Sequence, residues 1–333
     1  MMKQGAVIGM DKAIVSNTSI CEGCIMGKHT REPFRSHVEG RSVEVLQLVH
    51  TDVGESDVAS WSGKKYYVTF IDDYSRCVWV YVIDKKSEVY DVFMKWKVLV
   101  ENQTQHTIKA IRSDRGGEYI NSRMREALDN SGIIHQTTMA ESPQSNGVAE
   151  RMNRTLWDQT RAMLYSASLQ RQWWAQAILT AAYIHNRLVH SSTDGKTPME
   201  LWNGMKPDAA HMRVFGCIRY AHAPHSKRTK SGVQSIKCLF VGYSRDSKGY
   251  RVYDIERNKV IESRDVIFNE NEMLELRVSP HITTSHVDVG MTRKVSVNME
   301  APSPDESSIP VPPVVPVNVQ SVGVNGGGIG EIR

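Results

Sequence analysis

Ordered alternation of apolar and polar residues is confined to the stretch between about residue 40 and residue 270. "SVEVLQLVHTDV" (42–53), "KYYVTFIDDYS" (65–75) and "CVWVYVID" (77–84) are β-branched and aromatic runs, parted by "SWSGKK" and by Ser75-Arg76. Runs of this composition between turn residues predict a meander of three antiparallel strands. In "SEVYDVFMKWKVLVENQ" (87–103) the apolar positions Val89, Val92, Phe93, Trp96 and Val100 recur with the helical period, and Ser87 is placed to cap the first turn. A strand over 107–114, a helix over 122–132 ending at Gly132 and a strand over 133–138 follow. The next helix is expected to start at Ser142-Pro143, because serine caps free N–H groups and a first-turn proline loses no hydrogen bond. The order βββαβαβα predicts a mixed α/β sheet flanked by helices.

Farther on, "QRQWWAQAILTAAYIHNRLVH" (170–190) predicts a strongly apolar helix. Its Trp173, Trp174, Ala177, Ile178, Ala181, Ile184 and Leu188 are expected to pack against the core or a second subunit. "VFGCIRYAHAP", "KCLFVGYSRDSKGYRVYD" and "NKVIESRDVIFNE" alternate like strands, with turn signals at Ser247-Lys248-Gly249 and Arg257-Asn258, and predict a small barrel or curled sheet. Residues 270–333 hold no aromatic residue, seven of the twelve prolines and a Gly326-Gly327-Gly328 run, which predicts a disordered tail or linker. The expected organisation is therefore a segment 1–38, a core 40–205, a β-rich domain 206–269 and a tail 270–333.

Composition narrows the function. No run of about 18 apolar residues and no signal-peptide pattern occurs, so neither a membrane span nor secretion is expected. Five scattered cysteines suit a reducing, intracellular compartment better than a disulfide framework. Net charge is only +4, but residues 206–265 carry thirteen Lys and Arg against six Asp and Glu, whereas 270–333 carry four against eight. A compact basic block is either a solvated face or a surface for a polyanion.

Three acids fall where the predicted elements end. Asp52 closes the first strand, Asp114 the fourth, and Glu150 lies about two turns into the helix after Pro143. On that helix Ala149, Met152, Leu156 and Met163 form an apolar stripe with Glu150 beside it, and Asn146, Asn153 and Arg154 share its side at i−4, i+3 and i+4. Converging carboxylates repel unless a cation lies between them, and their hard oxygens suit Mg²⁺ or Mn²⁺. Two such ions ~3.5–4 Å apart serve phosphoryl transfer. "FIDD" lacks the flanking elements of a polymerase, and "HTDVG" has Val where an aspartic protease needs Thr or Ser.

The Asp52, Asp114, 35-residue, Glu150 spacing resembles the catalytic triad of retroviral and retrotransposon integrases. "HTDVGE", "FIDDYSRCVWVY", "IRSDRGGEY" and "ESPQSNGVAERMNRTL", in that order, resemble the integrase core of copia-type LTR retrotransposons over about 40–190. That resemblance implies a ribonuclease H-like fold and a polynucleotidyl transferase that processes 3′ ends of element DNA and joins them to target DNA. It implies Asp52, Asp114 and Glu150 as the catalytic and Mg²⁺- or Mn²⁺-holding residues, multimers that hold two DNA ends, and work in the nucleus.

"CEGCIMGKHTREPF" resembles the second half of the zinc-binding segment preceding such cores, with Cys21 and Cys24 at C-x₂-C spacing. No histidine precedes His29, so the expectation is a truncated zinc module with two of its four ligands. The β-rich region resembles the one that follows copia-type cores, where Lys227, Arg228 and Lys230 would clamp DNA phosphates. Around Glu150, Gln144 and Asn146 are expected to meet phosphates and base edges, Gly147 to let backbone approach, and Arg151 and Arg154 to neutralise phosphates. Two alternatives stand beside the integrase: a non-catalytic DNA- or chromatin-binding remnant of a mobile element, and a metal-dependent nuclease of the same fold.

Overall fold

A computed structural model describes residues 41–137, 146–222, 234–244, 248–276 and 295–297 of the chain. All of these except Arg41 belong to one unit, Ser42–Arg333. The segments expected to bind zinc (1–38) and to form most of the tail lie outside the described residues, as do Cys21, Cys24, Gln144, Lys227, Arg228 and Lys230.

Five strands form the first sheet: β1 (Val49–Glu55), β2 (Tyr66–Asp72), β3 (Val78–Ile83), β4 (Ala110–Ser113) and β5 (Ile134–Thr137). Their order is β3-β2-β1-β4-β5, with β1 antiparallel to β2, β2 antiparallel to β3, and β4 and β5 parallel to β1. Helix α1 (Val89–Thr104) covers one face, and the short α2 (Gly117–Ile120) and α3 (Ser122–Asn130) lie beside it. The expected apolar positions of α1, Val89, Val92, Phe93, Trp96 and Val100, are all buried, and Trp96 stacks on Phe70 of β2 at 4.4 Å. On the other face lie α4 (Gly147–Ser166) and α5 (Trp174–His185), while Trp202 of the following α6 (Pro198–Asn203) packs on Trp79 on the α1 side. The expected mixed sheet between helices is thus the observed architecture.

The first strand is shorter than its apolar run suggests. Residues 42–48 form turns because two carboxylates seize their backbone. Asp72 Oδ1 accepts from Leu46 N–H at 2.8 Å while its Oδ2 accepts from the N–H and hydroxyl of Ser75, and Leu46 sits at φ 62°. Asp73 accepts from Ser42 N–H, His50 Nε2 and Arg76. Burial raises Asp72; it pulls Asp73 upward too, but the bonds from His50 and Ser42 with the charge of Arg76 outweigh it and hold Asp73 well below the usual range. "FIDD" is therefore a structural clasp.

The expected apolar helix of 170–190 is α5 preceded by a short 3-10 turn at Arg171–Trp173. Trp173, Trp174, Ala177, Ile178 and Ala181 are buried inside this chain, between the first sheet and a second one, so α5 spends its apolar surface internally rather than on self-association. Leu188 lies beyond the helix and is exposed. The second sheet comprises β6 (Cys217–His222), β7 (Ser235–Tyr243), β8 (Tyr250–Asp254), β9 (Lys259–Ser263), β10 (Val266–Leu276) and β11 (Val295–Val297), ordered β11-β10-β6-β7-β8-β9. It is antiparallel except for the β10–β11 pair. One member of the basic block, Arg219, is 0% exposed and lies 3.8 Å over the ring of Phe268 and 4.1 Å over that of Phe240, so it contributes nothing to a solvated basic face.

Strand β3 is an edge strand, yet all six of its residues are buried. Asn186, just past α5, closes its first position like a neighbouring strand. Its Oδ1 accepts from Val78 N–H at 2.9 Å and its Nδ2 donates to the Val78 carbonyl at 2.8 Å. Asn186→Ala leaves two buried backbone groups unpaired and is expected to cost roughly 2–4 kcal/mol, read as a lower urea midpoint.

Candidate active site at the strand ends

Two strands and one helix position the three acids. Asp52 lies in β1 opposite Thr69, and Asp114 follows Ser113, the last residue of the parallel neighbour β4. Helix α4 packs across them on β1 and β2. Its first described turn starts at Asn146 and Gly147, later than Ser142-Pro143; residues 138–145 lie outside the described residues.

Asn146 and Asn153 are seven residues apart, two helical turns, and so share one face. Both face β1. Asn146, only 2% exposed, donates Nδ2 to the Thr51 carbonyl at 3.1 Å, and Asn153 donates Nδ2 to Asp52 Oδ2 at 2.8 Å. Asn146 thus clamps the helix to the strand instead of offering an open amide to DNA. Ala149, Met152 and Leu156 are buried as the stripe expects, whereas Glu150, Arg151 and Arg154 are exposed. Gly54 has its own steric reason: a Cβ there would lie 2.1 Å from the ring of its cross-strand partner Tyr67.

Asp52 records the company it keeps. Burial first, then the charge of Asp114 and to a lesser degree that of Glu150, raise its carboxyl to about 6, against the lowering pull of Asn153 and Val53 N–H. Asp114 turns its own carboxylate back onto the chain, Oδ1 accepting from Gly116 N–H at 3.0 Å. Around it, Tyr119 pairs its hydroxyl with Thr51 Oγ1 at 2.8 Å, and Ser113 Oγ donates to the Asp114 carbonyl while meeting His135 Nε2 at 2.9 Å. Burial and the charge of Arg125 keep His135 below its ordinary value.

The three acids share an electrostatic neighbourhood, although among the described residues no group of three His, Cys, Asp or Glu side chains is close enough to hold an ion. Their chemistry fits a hard divalent cation. All donors are carboxylate oxygens, and the repulsion expressed in Asp52 is what such a cation relieves. Sequence reasoning missed the clamping roles of Asn146 and Asn153; the available signal was two amides on the buried face of an amphipathic helix, where each must find a partner. Asn153→Leu removes the donor that orients Asp52. For the activity proposed below, it is expected to lower turnover 10–100-fold, roughly the usual cost of losing an outer-shell partner, and to raise the Mg²⁺ or Mn²⁺ concentration needed for half-maximal rate.

Residues 43–143 match the family described as "Integrase core domain", and 217–282 match "Retroviral polymerase SH3-like domain". Asp52 and Asp114 lie inside the first match and Glu150 seven residues past it. The chain is 41% identical over 279 residues to the retrovirus-related Pol polyprotein from transposon TNT 1-94 of Nicotiana tabacum, covering 82% of this chain and 21% of that protein. It is 31% identical over 295 residues to the one from transposon RE2 of Arabidopsis thaliana, covering 89% and 20%. The chain thus spans about a fifth of the curated relatives' length. Among solved structures, the HTLV-2 integrase catalytic core domain in complex with magnesium aligns with TM-score 0.39 and 20% identity, over 48% of this chain and 99% of that one. Among the described residues, no helix is long and apolar enough to cross a membrane.

Proposed function

We propose, from an integrase core domain joined to a retroviral SH3-like domain in a chain whose relatives are copia-type retrotransposon Pol polyproteins, that this protein is a DNA integrase. It processes the 3′ end of element DNA and transfers it to target DNA. The observation that carries this is the coupling of Asp114 and Glu150 to the half-buried Asp52, since three like charges at the strand ends call for a cation.

Asp52, Asp114 and Glu150 would hold Mg²⁺ or Mn²⁺, which supplies charge stabilisation to a reacting phosphodiester and acidity to the attacking oxygen. The chain's own residues prepare the ground. Asn153 fixes one oxygen of Asp52, Gly116 N–H fixes one of Asp114, and Asn146 locks α4, hence Glu150, to β1. Water attacks a phosphodiester near the 3′ end; the freed 3′-hydroxyl then attacks the target strand. In each step one phosphorus–oxygen bond forms and one breaks, with no covalent protein intermediate, so the work is positioning and electrostatics.

DNA is the partner, a multimer holding two ends is the working form, and the nucleus is the place of action. Zinc enters no step. Strand transfer of a labelled duplex end into plasmid, with Mg²⁺ or Mn²⁺, tests the proposal. Joined products support it; binding or nicking with neither metal yielding a joined strand would replace it with the remnant or the nuclease.

A further inference from the structure

Beside Asp114 the surface changes sign. Arg115, Tyr119, Ile120, Arg125, His135 and Thr137 line a hollow of about 410 Å³ at the ends of β4 and β5. The hollow is tied to the acids through its walls. Arg115 directly follows Asp114, and Tyr119 bonds Thr51, the neighbour of Asp52. His135 bonds the Ser113 hydroxyl, which itself donates to the Asp114 carbonyl. Since that hydroxyl's proton is spent on the carbonyl, His135 Nε2 must be the donor to Ser113 Oγ, which leaves Nδ1 an acceptor and makes His135 a wall of the hollow rather than an anion ligand.

Arg115 and Arg125 are both exposed, and among the described residues no carboxylate ion-pairs with either, in contrast to Arg76, Arg123, Arg161 and Arg171, which each hold an aspartate. Two exposed guanidiniums on a concave surface make a phosphate receptor, because the guanidinium fork matches phosphate oxygens.

We propose that Arg115 and Arg125, across this hollow, grip a DNA backbone phosphate adjoining the one that reacts at the acids, and so set the strand's register. This rests on the proposed integrase function. The acids with their cation take the scissile phosphodiester, and the hollow takes the neighbouring one. Its contribution is sequence-independent, since it touches backbone and no base edge. These are positioning residues.

The test measures duplex binding against salt for the full chain, the Arg115→Gln/Arg125→Gln double variant and an Arg161→Gln control on α4, alongside joining kinetics with Mn²⁺. Each phosphate neutralised contributes about 0.9 to the salt slope, so the double variant, which releases the one phosphate in the hollow, is expected to lose about 0.9 of it. The KM for DNA is expected to rise about tenfold with kcat within about twofold. Arg161→Gln, away from the hollow, is expected to shift neither KM nor kcat. A slope and KM equal to those of the control would overturn the hollow's role. A loss of kcat with binding unchanged would overturn it as well. Equal melting temperatures for the three proteins exclude misfolding as the cause. If the unaltered chain joins no DNA, the integrase proposal fails, while the salt slope still decides whether the hollow binds phosphate.

Discussion

Glu150→Gln is expected to cut strand joining at least about a thousandfold and to leave duplex binding within about twofold of the unaltered chain. The size follows from the role. A cation that stabilises the transition state contributes several kcal/mol, and about 4 kcal/mol is about three decades of rate. The cleanliness follows from position. Glu150 is exposed on α4, while the packing of that helix rests on Ala149, Met152, Asn153 and Leu156, so swapping one carboxylate oxygen for an amide disturbs no core contact. Asp52 is a less discriminating target. Its Oδ2 holds Asn153, and Asp52→Asn would place two amides against each other and disturb the clamp. The measurement is a labelled duplex end offered to plasmid, with a mobility shift on the same preparations. Joining by Glu150→Gln at the normal rate would remove Glu150 from the active centre. Loss of binding together with joining would mean that its carboxylate supports the fold.

The periodic elements of the core were legible because their patterns are long and bounded. The helix over 87–103 and the strands over 65–84 follow from apolar spacing, and burial of Trp96 and of all of β3 bears this out. What the sequence hid was side chain bonded to backbone across distance. Residues 42–48 have strand composition, but a strand needs free N–H groups, and Asp72 and Asp73 take those of Leu46 and Ser42 from 26 and 31 residues away. No local propensity encodes that competition. The same holds at the candidate active site. The spacing of Asp52, Asp114 and Glu150 could be read from the chain, because strand ends and one helix face are periodic features. That Asn146 turns inward to the Thr51 carbonyl could not, since an amide before a carboxylate suits an open helix end and a buried clamp equally well. The distinction depends on which face of α4 meets β1, a fact of packing.

His185 is expected to withdraw stability from this fold as pH falls below 6.5. Its ring is 5% exposed, stacks on His190 at 4.0 Å, and has both nitrogens buried without a hydrogen-bond partner. Burial, reinforced by His190, pushes its pKa from an ordinary 6.5 down to about 3. The sign is that of a group easier to protonate when unfolded. Above pH 6.5 His185 is neutral in both states and costs nothing. As pH falls below 6.5, the unfolded chain takes up the proton, the folded chain does not, and stability drops. At about pH 5 both forms lie clear of their respective pKa values, so the loss relative to about pH 7.5 is ~2 kcal/mol whether the folded value is 3 or a unit higher. His50, also lowered by burial, adds in the same direction and window. Asp73, held low, gives its share back only at more acid pH. Asp52, raised to about 6, and Asp72, also raised, act in the opposite direction over the same window, so the share of His185 is read as a difference between proteins: in urea unfolding at the two pH values, acid should cost His185→Gln ~2 kcal/mol less than it costs the unaltered chain. An unchanged difference in that variant would mean that the imidazole reaches water readily in the folded state, and that the packing of α5 around it is looser than its burial implies.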